Sequence, residues 1–114
     1  MPIMRTALLA AILTAALVGQ AAALSYKDIS GRWCGESLEY DFARNSLTVR
    51  FDDGTPTRHY RVTGYEYNDT DVTLHWINNG KNLRTIFGEF SPDGRLMAQQ
   101  KNNVGPRRPF HRCR

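Results

Sequence analysis

The chain has 114 residues, 41% hydrophobic and 23% charged, with a formal net charge of +4. That length suits one domain rather than two. The mild basicity, without aromatic and basic residues interleaved in a recognisable motif, makes nucleic acid a poor partner to propose, and none is expected.

Arg5 precedes an apolar run from Ala7 to Val18, and the small residues Ala21, Ala22 and Ala23 follow it. This is the pattern of a secretory signal peptide with cleavage after Ala23, which makes 1–23 the export segment and 24–114 a single domain. The run falls well short of the roughly 20 apolar residues that a membrane-spanning helix requires, so no stable membrane anchor is expected. No cysteine stands at the cleavage position to carry a lipid. The expected location is the periplasm or the medium outside a bacterial cell.

Residues 24–114 hold fourteen Lys and Arg against eleven Asp and Glu, a net charge of +3. A domain this small buries a modest core and benefits from a covalent staple. In an oxidising compartment Cys34 and Cys113 read as that staple. Closing a loop of about 80 residues is worth roughly 4.5 kcal/mol in the chain-entropy model.

Period-two alternation dominates after Ile29, and no window of a dozen residues keeps a helical apolar stripe. The expected strands run Ser30 to Gly35, Leu38 to Phe42, Ser46 to Phe51, Thr57 to Tyr67, Val72 to Ile77, Leu83 to Phe90, Arg95 to Lys101 and Phe110 to Cys113. Gly64 marks a bulge, because the apolar phase shifts from Val62 to Tyr65 across it. Asn79-Gly80 is the strongest hairpin signal. On the sixth strand Ile86 and Phe90 are expected to share one face.

Successive tight turns leave no room for crossover helices, which gives an all-β antiparallel up-and-down meander. A disulfide between its first and last strands is satisfied most simply by a closed barrel, with Cys34 facing Cys113 and Trp33 sharing the opposite face with Arg112 or Arg114. A curved sheet of six or seven strands is the alternative. The inward positions are large and aromatic, so a packed interior is expected rather than a ligand cup.

No catalytic constellation emerges. His59, His75 and His111 lack metal-ligand spacing. The acid pairs Glu36 with Glu39 and Asp52 with Asp53 are not held across a cleft. No nucleophile elbow or phosphate loop is present. The expectation is therefore a non-enzyme without metal or cofactor. Asn68-Asp69-Thr70 has the form of a glycosylation sequon and also of a turn. The basic C-terminal segment, including Arg107 and Arg108, suits either an anionic partner or a solvated strand edge.

At Gly31-Arg32-Trp33 the chain resembles the calycin group, whose lipocalin-type barrels begin with Gly-x-Trp and lay a late arginine across the tryptophan. Within the group its size and its Ser30 to Trp33 segment are similar to small bacterial inhibitors of secreted metalloproteases. That resemblance implies structural roles for Gly31, Trp33 and Arg112, and a partner-binding segment mapping onto Leu24 to Asp28, with Leu24, Ser25 and Tyr26 in contact. The disulfide of those inhibitors does not join the chain ends as Cys34 and Cys113 would. Gly31 to Gly35, Phe90 to Arg95 and Phe110 to Cys113 also resemble small exported proteobacterial proteins of uncharacterised families. The function expected is a monomeric binding module for an envelope or secreted protein, with inhibition of a hydrolase as the form the resemblance implies; the alternative is a carrier of a small apolar or anionic ligand.

Overall fold

The computed structural model describes residues 23–100 and 106–114. The expected export segment lies outside them except for Ala23. Eight antiparallel strands close into a barrel in chain order, each pairing only with its neighbours. They are β1 (Gly31–Cys34), β2 (Leu38–Phe42), β3 (Ser46–Phe51), β4 (Arg58–Tyr67), β5 (Val72–Asn78), β6 (Lys81–Gly88), β7 (Leu96–Gln100) and β8 (Arg108–Arg112). A single helical turn, α1 (Tyr26–Ile29), precedes them.

Turn chemistry sets the register. Asn79 and Gly80 both have positive φ, at 51° and 76°, as a two-residue type I′ hairpin demands. That turn pairs Trp76 with Leu83, Leu74 with Thr85 and Val72 with Phe87. Thr85 and Phe87 therefore point inward and Ile86 points outward, reversing the face expected for β6. The bulge falls where the sequence places it, between Val62 and Gly64, and it keeps Val62 and Tyr65 in the same inward phase as Trp76 and Leu74.

The seam between β1 and β8 is short: Trp33 opposes Arg112 and Cys34 opposes His111. Cys34 does not lie directly across from Cys113. The latter sits beyond the last paired residue of β8, where its N–H donates to the Arg32 carbonyl and the chain reaches back diagonally. The bond itself is present, with the Cα atoms 5.2 Å apart. β1 ends before it can cover the first half of β8. There the backbone nitrogens of alternate residues face the gap, and at Pro109 that nitrogen carries no hydrogen, which denies an incoming strand a donor.

One end of the barrel is closed. Trp33 is fully buried and donates from its indole to the Ile29 carbonyl at 2.8 Å. The Arg112 guanidinium lies 4.0 Å over that ring and donates to the carbonyls of Asp28, Lys27 and Ser30, so a cation serves the C-terminal end of α1. At the other end of α1, Ser25 and Asp28 form a capping box. Gly31 has φ of 92°, a conformation that an L side chain rarely adopts.

Candidate functional site

At the opposite end the barrel is a cup. Its floor is a layer of rings: Tyr40 stacks on Phe110 at 5.1 Å, and Phe87 meets Phe42 edge-on at the same separation. Above the floor a cavity of about 570 Å³ is lined by inward side chains of β2 through β8, among them Tyr40, Phe51, Tyr60, Trp76, Thr85 and Gln99. This departs from the packed interior expected from sequence. The inward side chains are indeed large, but they stack into a floor and walls. The rim positions Arg58, Asn78 and Arg108 carry polar side chains in place of core-filling apolar ones.

The walls are held by hydrogen bonds. Tyr60 and Trp76 meet edge-on at 4.9 Å, and the Trp76 indole donates to Thr85 Oγ1. The Tyr40 hydroxyl donates to Gln99 Oε1 at 2.8 Å. Burial raises the Tyr40 pKa, which keeps the phenol neutral and a donor. The Trp76 indole, the Thr85 hydroxyl, the Tyr40 hydroxyl and the Gln99 carbonyl oxygen are thus paired within the wall, and these contacts orient the two rings.

A second hollow adjoins the first. Because β1 stops at Cys34, a notch of about 690 Å³ opens between the β1–β2 turn and the start of β8, bordered by Glu36, Ser37, Leu38, Arg107, Arg108, Pro109 and Phe110. Leu38 and Arg108 line both spaces, so the notch is a side window next to the cup.

The five residues expected to contact a partner are dispersed. Arg108 borders the cup. Arg107 lies on the outer wall, 3.7 Å from Asp71 and 3.9 Å from Glu89, across Gly88 where a Cβ would collide with it. Leu24 borders a shallow cleft with Arg107 and binds the Asn68 carbonyl through its N–H. Ser25 is the helix cap. Tyr26 sits edge-on to Tyr65 at 5.4 Å under the guanidinium of Arg44. The segment assigned to a protease cleft is therefore folded onto the closed end.

The remaining candidates are distributed over the outer surface. His59 bonds Thr48 and His75 bonds Glu66, while His111 is exposed on β8. Glu36 borders the side window. Glu39 accepts from Arg32 at 2.8 Å and from Arg50 at 2.7 Å. The Arg32 hydrogen bonds, joined by Arg50, hold its carboxyl below the usual glutamate range. Asp52 and Asp53 belong to a turn, in which Asp53 accepts from the Thr55 N–H. Asn68 accepts from the N–H groups of Thr70 and Asp71, an Asx-type turn at the sequon. Cys34, Cys113 and Glu39 lie together, but the two sulfurs are spent on the disulfide.

Protein-family models, curated proteins and solved structures were all compared with this chain, and none matches it.

Sequence reasoning missed Arg58, Asn78 and Gln99 as inward groups. The signal was present in the alternation itself: Arg58 is in phase with Tyr60 and Val62, and Arg108 with Phe110.

Proposed function

We propose that this chain is an exported carrier or sensor barrel that holds a small organic molecule in its cup. The cavity of about 570 Å³ carries the reading. It falls within the few hundred to one thousand Å³ usual for small-molecule sites, and it combines ring walls with a few polar groups. The folded state of 24–28 against the barrel favours this reading over protease inhibition through that segment.

A macromolecular partner is the second reading. Tyr67, 38% exposed, stacks beside Tyr65 next to Tyr26 and Arg44 at the closed end, the residue types that anchor protein interfaces.

One experiment separates the two. Native mass spectra of the mature protein, purified from its own secreted or periplasmic fraction, are expected to show an adduct of small-molecule mass. Val49→Trp, which fills the cup from β3, is expected to abolish it. Spectra showing only unliganded protein would sink the carrier reading, and a co-purified chain retained by Val49→Trp would favour the second.

A further inference from the structure

We propose that the ligand of this cup is an aromatic carboxylic acid, its ring system between Tyr60, Trp76 and the floor and its carboxylate at the rim between Arg58 and Arg108. The inference rests on the carrier reading above and specifies its ligand.

Both arginines occupy inward positions, since Arg58 pairs with the inward Val49 and Arg108 with the inward Gln99. β4 and β8 stand four strands apart in an eight-stranded barrel, so the two guanidinium groups approach the mouth from opposite walls. No Asp or Glu lines the cup. Neither arginine has a carboxylate within ion-pair distance among the described residues, and among the arginines without one these two line the cup. The residues outside the described set contain no Asp or Glu that would supply one. Two like charges flank one mouth without a counterion, and an oxyanion between them relieves that repulsion.

The guanidinium fork matches the two coplanar oxygens of a carboxylate. The apolar part of the ligand follows from the walls. Tyr40, Phe51, Tyr60, Trp76 and Phe87 present five rings to the cavity, and aromatic rings gain from offset or edge-on contact with a flat partner. Arg58 already lies over the Phe51 ring, at 5.8 Å, so its charge borders an aromatic surface. A two-ring molecule fits the volume.

The matched probes are naphthalene-2-carboxylate and naphthalene-2-carboxamide, which differ in charge at one group. Binding to the disulfide-intact mature protein is read by calorimetry and by quenching of Trp76, with Trp76→Phe as the optical control. The acid is expected to bind at least tenfold more tightly than the amide, and Arg58→Gln and Arg108→Gln are each expected to remove most of that preference. Both arginines are exposed, so these variants should unfold at the parent temperature. Equal binding of acid and amide, or a preference that survives both substitutions, overturns the carboxylate assignment and leaves the cup reading standing. Binding of neither probe overturns the assignment, and the native spectra then decide the cup separately.

Discussion

Arg112 joins three parts of the molecule that are distant in sequence. Its guanidinium covers Trp33, serves the carbonyls that end α1, and donates through Nε to the Gly94 carbonyl of the β6–β7 turn. Replacing it by alanine removes a partly buried cation–π contact and strands carbonyls at the closed end, a combined cost of about 2 kcal/mol. Arg112→Lys should recover only part of this, because an ammonium neither stacks on the indole nor reaches several carbonyls in one plane. Urea unfolding should rank parent, lysine and alanine in that order; an alanine variant as stable as the parent would refute the role. The sequence made the pair of Trp33 with a terminal arginine legible, and it left Arg112 and Arg114 undistinguished. Register decides between them, since only Arg112 lies directly opposite Trp33.

At the scale of elements, the strands were readable because each alternates over enough residues to declare its faces. The face of β6 was not, because Ile86 and Phe87 are adjacent apolar residues and local pattern alone allows either phase. A two-residue turn counted through from β5 would have settled it. The helical turn α1 is too short to show a period, yet Ser25 and Asp28 carry a capping signature three residues apart. Across the outer faces of β1, β2 and β3, Arg32, Glu39 and Arg50 form a cross-strand charge ladder. Glu39 is more acidic folded than unfolded, so its contribution to stability is present above the ordinary glutamate pKa of about 4.3 and is lost as pH falls through the lower folded value. Glu39→Gln should therefore be less stable than the parent at pH 7, and the gap should narrow on acidification below about pH 4. Asp53 and Asp93 are also held below their usual range by neighbouring hydroxyl and backbone donors, so the variant keeps some acid sensitivity of its own. Denaturant midpoints measured from pH 7 to pH 2 would check this, and a gap of constant size would contradict it.

The whole barrel closes on its weakest line. Most neighbouring strands share four or more paired residues, while β1 and β8 share two, and Pro109 withholds a donor from the gap beyond them. The link between Cys34 and Cys113 spans that seam across a sequence separation of 79. Cross-linking a loop of that length restricts the unfolded chain by roughly 4.5 kcal/mol. The same bond is placed to hold β1 against β8 when the two backbone pairings open. Replacing both cysteines by serine should lower the melting temperature by on the order of 20 °C at this domain size. The loss should also be local before it is global. Amide exchange should accelerate first in β1 and in the half of β8 paired with it, while β4, β5 and β6, joined by six and seven residue pairs, stay protected. Because the side window and the cup share Arg108 on β8, loosening the seam should also weaken retention of the proposed ligand under conditions where the rest of the barrel remains folded. Exchange measured on the double serine variant at neutral pH separates the two effects of the bond. Uniform acceleration in all eight strands would mean that it acts only on the unfolded chain; acceleration confined to β1 and β8 would assign it the second role, as the clasp of the barrel.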